Sequence, residues 1–179
     1  DIRGLNYTYN ADGYIWKYLG VDKTTARAAS ENDQNYIIYR LADVLLMKAE
    51  ALIMQGHNED AADLIDRTRE RAGLGETTLS DDRMVMLETL LVERQKEFFG
   101  EGKNWFDLLR IGLRSEQLND TQYKTLFVEQ ALKAVGASRQ SLGRATLANS
   151  GSWYLPYSED ELSKNPLLEQ SDYYQSISN

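Results

Sequence analysis

A chain of 179 residues that is 42% hydrophobic and 27% charged has the size of one folded domain, able to bury about two thirds of its unfolded surface and too apolar to stay disordered. Its 28 acidic against 20 basic residues give a formal charge of -8, which repels phosphate backbones and disfavours nucleic acid as a partner. The absence of cysteine removes disulfides, thiolate metal sites and cysteine nucleophiles, and no apolar run reaches the roughly 18 to 20 residues of a membrane span, Asp43, Lys48 and Glu50 interrupting the best candidate.

In chain order, residues 1–35 alternate aromatic side chains (Tyr7, Tyr9, then Tyr14, Trp16, Tyr18) around Asn10-Ala11-Asp12-Gly13. That pattern predicts a short hairpin closed by a turn with positive φ, followed by a polar loop over Lys23 to Gln34. From Tyr36 to Gln55 apolar residues recur at helical spacing, with Leu41, Val44, Leu45, Ala49, Leu52 and Ile53 on one face and Gly56 as the stop. Asn58 then caps a second helix running to Gly73 through Ala61, Leu64, Ile65, Thr68 and Ala72, with Glu59 and Asp60 favoured at its start by the helix dipole. The two-residue connection Gly56-His57 forces an antiparallel helical hairpin. Small residues at Ala49, Ala61 and Thr68 with larger apolar ones at Leu45, Leu52 and Ile65 fit a tetratricopeptide-like pair, Lys48 and Gly73 departing from the pattern. A single such pair cannot bury its own apolar faces, so later helices or companions outside this chain must cover it.

A third helix, capped near Ser80 or Asp81, presents Met84, Leu87, Leu90, Leu91 and Phe98 and ends at Gly100 and Gly102. A fourth opens at Asn104-Trp105-Phe106-Asp107 in capping-box style, carries Phe106, Leu109 and Leu113 on one side and ends at residues 112–114. Residues 121–135 allow a fifth through Tyr123, Leu126, Phe127, Ala131 and Val135, and Gly136 to Gly151 reads as a Ser-rich surface loop. In the tail, Trp153-Tyr154-Leu155-Pro156 is an extended piece, Ser158-Glu159-Asp160-Glu161 a capping box and Asn165-Pro166 a break. The fold class is all-α: one domain over 1–179, with an aromatic hairpin and loop (1–35), a helical core (36–114), then an additional helix, loops and tail (115–179). The start at Asp1 without initiator or leader suggests a processed chain or a piece of a longer one.

Glu93 and Glu97 share a helix face, as acid and base partners do, but a glycosidase pair must flank a substrate from opposite sides of a cleft. A structural ion network is the preferred reading. Arg94 falls at the apolar spacing of its helix, where a charge needs a nearby carboxylate, from Glu97, Glu101 or Glu50. His57 is the one histidine and sits in a turn with no companion ligand, so no metal site is assigned. Acidic pairs at Glu59-Asp60 and Asp81-Asp82 occupy helix starts and lack calcium-loop spacing, and no phosphate loop or nucleophile elbow is present. No catalytic residue and no cofactor follow. The aromatic side chains remain: Tyr7, Tyr9, Trp16, Trp153 and Tyr154 lie in loops or extended pieces where a ring can stack on a sugar or anchor an interface.

Three passages in series resemble one family. Arg40-Leu41-Ala42-Asp43-Val44-Leu45-Leu46-Met47-Lys48-Ala49-Glu50-Ala51 resembles the "RxADVLLxxAEA" helix of the SusD/RagB family of outer-membrane nutrient-binding lipoproteins, Arg69 to Gly73 its "RxRAG" helix end, and Glu93 to Phe98 with Glu101 to Arg110 its "ERxxEL…EGxRWxDLxR" segment. Lys17-Tyr18 and Asn165 to Tyr173 resemble its flanking runs, while Leu155-Pro156-Tyr157, Lys103-Asn104 and Ser171-Asp172 depart from it. The resemblance implies the C-terminal portion of a SusD-like α-α superhelix with its N-terminal half and lipidated cysteine upstream. It also implies a lipid-anchored place at the cell surface, and non-enzymatic capture of a glycan or related nutrient for a SusC-like TonB-dependent transporter. Arg40, Glu50, Arg94, Glu97 and Asp107 stand in the matched motifs as charged struts. The alternative is a tetratricopeptide-type adaptor that binds a protein or peptide.

Overall fold

The structure, a computed structural model, describes residues 1–13, 15–18 and 35–177. Tyr14 of the expected hairpin and the polar stretch 23–34 lie outside the described residues. The elements are helices: α1 (Leu41–Gln55), α2 (Asn58–Arg71), α3 (Arg83–Glu97), α4 (Asn104–Leu118), α5 (Thr121–Leu132), α6 (Ala137–Leu147), α7 (Glu159–Lys164) and α8 (Asp172–Ile177). Single 3-10 turns occur at Trp16–Tyr18 and Ser150–Trp153. The chain divides into two compact units, Asp1–Asp107 and Leu108–Asn179.

In the first unit the predicted hairpin of helices is present. Gly56 takes the left-handed conformation (φ 81°) and its N–H, with that of His57, closes the end of α1 on Ile53 and Leu52. Ala49 and Ala61 are fully buried, as the small-residue positions require, and Ile65, Thr68 and Ala72 continue the contact face of α2. α3 covers both helices with Met86, Leu87, Leu90 and Leu91. Asn58 is the first helical residue, not the cap; His57 holds the cap position without a side-chain bond, and the Asn58 amide instead donates to the Ser80 carbonyl at 2.8 Å. The cap of α3 is Asp82, whose carboxylate accepts the Met84 N–H at 2.7 Å.

Two expectations about α1 change. It begins at Leu41, because Arg40 is extended (φ -148°, ψ 167°) with its side chain drawn toward the end of α3. Its buried face is Asp43, Leu46, Ala49, Glu50 and Ile53, whereas Leu41 and Val44 are exposed. A helix apolar on every side gives no unique stripe from spacing alone, and the neutralisation of Asp43 decides which side turns inward. The aromatic hairpin reduces to an antiparallel bridge between Tyr9 and Ile15 and a parallel one between Leu5 and Tyr9, with Gly13 supplying the positive φ at the turn. No ladder continues them among the described residues.

In the second unit α5 packs against α6, and the 3-10 turn at Ser150–Trp153 packs against α6 and α8. The stretch 137–147 is thus helix, where a loop was expected. It buries no residue, so no apolar period marked it; Ala, Arg, Gln and Leu supply the propensity and the Arg144–Glu129 ion pair ties it to α5. α4 runs on to Leu118, with Ile111 and Gly112 buried and Phe106 exposed, which reverses the expected face. Gly112 faces the Phe127 and Trp153 rings so closely that a Cβ there would lie 3.0 Å from each. The tail agrees with expectation at Tyr154, which is extended, at Ser158, whose hydroxyl accepts the Glu161 N–H, and at Asn165, where α7 stops; α8 was not foreseen.

Candidate functional site

Of the charged residues singled out from the sequence, Arg40, Arg94, Glu97 and Asp107 enter two adjoining clusters of the first unit. In one, Arg94 of α3 is 3% exposed and reaches back to α1 and forward to α4. Its guanidinium donates to Asp107 at 2.7 and 2.8 Å and to Asp43 at 2.9 Å, and Lys103 closes on the other Asp43 oxygen. The partners are therefore Asp43 and Asp107, not Glu97, Glu101 or Glu50; Glu50 is buried on α1. Asp107 serves as this strut from the first turn of α4. Burial alone would raise the Asp43 pKa, but the hydrogen bonds and charges of Lys103 and Arg94 outweigh it and hold it below the ordinary carboxylate value.

In the other cluster Glu93, Glu97 and Glu101, all at least 97% buried, receive basic side chains from segments far apart in sequence. Arg3 donates to Glu93 at 2.6 Å and Glu97 at 2.9 Å, Lys17 to Glu101 at 2.6 Å, and Arg40 to Glu97 at 2.6 Å and Glu101 at 3.0 Å. Arg71 also pairs with Glu97, and Arg69 stands 3.6 Å from Glu93. The positive φ of Gly100 and Gly102 (79° and 71°) folds the α3–α4 connection so that Glu101 points inward between them, a path a side chain would strain. Phe98 lies among the cations, its ring centre 4.7 Å from the Arg40 guanidinium carbon and 4.8 Å from that of Arg94. Burial favours a raised Glu97 pKa, but Arg40, Arg3 and Arg71 reverse this and the net shift is downward; Arg40 is raised by the same contacts against its own burial. A carboxylate held in that state is a poor proton donor near neutrality, and the Glu93–Glu97 pair works as a fastener.

The aromatic candidates separate. In the first unit Tyr7 is exposed, Trp16 is half-buried, and Tyr9 packs its ring 5.8 Å from that of Phe99 at a 50° tilt, both partly open to solvent. Ile15 covers Gly100 beside them. Phe99 was missed by the sequence reading: of two adjacent phenylalanines at a helix end one turns in and one out, and spacing does not say which. In the second unit Tyr154 is half-exposed, but Trp153 is 2% exposed. Its ring packs on Phe127 with centres 4.4 Å apart at a 45° tilt and its indole N–H donates to the Leu147 carbonyl at 2.9 Å, so Trp153 belongs to the core and not to an open sugar platform. No cluster of metal-ligating side chains and no helix long and apolar enough to cross a membrane occurs among the described residues.

Comparison with known proteins places this geometry in context. A family model described as the SusD family matches residues 4–174. SusD-like protein P25 of Formosa agariphila is 29% identical over 171 residues, covering 94% of this chain and 28% of that protein, and SusD-like protein P38 of the same organism is 37% identical over 89 residues, 45% and 18% of the two chains. A solved SusD superfamily protein from Bacteroides fragilis superposes with a TM-score of 0.54 at 28% identity, over 76% of this chain and 28% of its own. Another from Bacteroides vulgatus gives 0.50 at 32% identity, over 75% and 26%. The chain thus spans about a quarter of the length of these structural relatives.

Proposed function

The chain belongs to the SusD family, and from that premise we propose that it serves non-enzymatic capture of glycans or related nutrients at the cell surface. In this reading the protein is lipid-anchored in the outer membrane and hands its ligand to a SusC-like TonB-dependent transporter. The observation that carries the proposal is the family match running through nearly the whole chain, residues 4–174. The division of the aromatic residues supports it: the charged clusters fasten the frame, while Tyr7, Tyr9 and Phe99 turn rings to solvent with an apolar face and, in tyrosine, a polar edge, the combination that stacks on sugar rings.

A second reading, a tetratricopeptide-type adaptor, draws support from the exposed outer side of α1 and its approach, where Tyr36, Ile38, Tyr39, Leu41 and Val44 form an apolar run. A screen against an immobilised glycan array, with a random peptide array in parallel, separates the two. Glycan binding that weakens in a Tyr9→Ala, Phe99→Ala double variant is the expected result. Tight peptide binding with no glycan retained on any spot would overturn the proposal in favour of the adaptor.

A further inference from the structure

Beyond the rings of the first unit, the tail of the second carries a cavity of about 730 Å3 between the extended piece after Trp153 and the two short helices α7 and α8. Resting on the glycan-capture reading, we propose that this cavity is a subsite for a neutral saccharide, with Tyr157 as its stacking platform and Glu159 as its hydroxyl acceptor.

The lining decides the ligand class. None of the described residues around the cavity is basic, so nothing there would neutralise a phosphate, sulfate or sugar acid, and Glu159 would repel one. A purely apolar guest would strand the carboxylate of Glu159 against it. A neutral polyol with one C–H face satisfies both halves: the Tyr157 ring, 50% exposed, faces carbon, and carboxylate and phenol oxygens meet hydroxyls. Among the described residues the Tyr157 hydroxyl and the Glu159 carboxylate hold no hydrogen bond, so both face the cavity's ligand side without a competitor there. The volume lies within the roughly 300 to 1,000 Å3 range of small-molecule sites.

Preorganisation is the second argument. Gln170 grips the backbone of Tyr157 from both sides, its carbonyl accepting the Tyr157 N–H at 3.2 Å and its amide donating to the Tyr157 carbonyl at 3.0 Å, as a neighbouring strand would. Tyr174 fixes the approach by donating its hydroxyl to the Tyr154 carbonyl at 2.7 Å. The two prolines of the whole sequence stand here, Pro156 immediately before Tyr157 and Pro166 in the connection leading to Gln170. Each fixes φ where the chain has little regular structure, which lowers the ordering cost of binding. A half-exposed ring held this firmly has little packing reason to be held at all.

The test uses the 15N-labelled protein and isothermal titration with maltohexaose, cellohexaose, xylohexaose and laminarihexaose. For whichever of these binds, amide shifts at Tyr157, Leu162 and Tyr174 are expected. Tyr157→Ala should weaken binding about tenfold or more and Glu159→Gln by several-fold, whereas Tyr157→Phe stays within about threefold. Circular dichroism checks that each variant is folded. Binding with no shift at those amides, or unaltered in both Tyr157→Ala and Glu159→Gln while the Tyr9→Ala, Phe99→Ala variant abolishes it, overturns the subsite and leaves glycan capture standing. Failure of the wild-type protein to bind any of the four, or any glycan on the array, overturns capture itself and the subsite with it.

Discussion

Replacing Arg94 with methionine isolates the first charged cluster. The substitution keeps most of the side-chain length and apolar contact with Phe98 but removes the guanidinium from Asp43 and Asp107, which are 2% and 4% exposed. Asp43 retains Lys103, whereas Asp107 loses two bonds of 2.7 and 2.8 Å at once. Breaking one side of a buried pair costs about 3–5 kcal/mol, because the remaining carboxylate keeps its desolvation penalty without the guanidinium that offset it. For a chain of this size each kcal/mol moves the melting point by about 2–4 °C, so a drop on the order of 6 to 20 °C is expected. Urea denaturation followed by circular dichroism measures the change directly, with an unaltered slope showing that the same surface unfolds. Adding Asp107→Leu to Arg94→Met should return most of the loss, since an apolar pair of similar volume replaces an ion pair at little cost. A single variant that loses less than about 1 kcal/mol, or a double variant worse than the single, would refute the view that these charges matter by mutual neutralisation.

Acid should loosen the protein in a defined window. Glu97 and Asp43 have folded pKa values below their ordinary 4.5 and 3.8, so the unfolded chain binds more protons as pH falls through those values. Stability is then level above about pH 5 and declines progressively below about pH 4.5. Denaturation midpoints across that range check it, and Glu97→Gln should show a lower plateau with a shallower decline. In the second unit Trp153→Ala should cost about 3–5 kcal/mol as a core truncation without changing the glycan affinity of the protein that remains folded. Greater loss of binding than of stability would return Trp153 to the list of ligand contacts.

How far the sequence foretold this molecule depends on whether each choice was local. The α1–α2 hairpin was legible because a glycine stop, a two-residue turn and small residues on facing sides all act within a few positions. Arg94 was legible as a charge that needs a partner, yet its partners were misassigned: Asp43 lies 51 residues and Asp107 13 residues away, and only the packing of α1 on α3 and the turn after α3 bring them near. α6 escaped because a helix without a buried side carries no period to read. Trp153 was read as open because its segment is irregular, though Gly112 in mid-helix was an available sign that a large ring presses on that helix. Phe99 and the tail cavity depend on how a helix ends and how two irregular pieces cross, which spacing does not encode.

The fastening of Glu93, Glu97 and Glu101 has a kinetic side. Arg3, Lys17 and Arg40 reach across 57 to 94 residues of sequence, and the described residues around Arg3 and Lys17 have only isolated bridges and no ladder. Such long-range closures are entropically expensive to form early. The helices can therefore assemble first, leaving three buried carboxylates as a socket into which the leading segment plugs last. The same clasp should open first: a pulse to below about pH 4.5 or a protease would strip the leading segment from an otherwise intact helical body, and its amides should exchange with solvent well before those of α1 to α3.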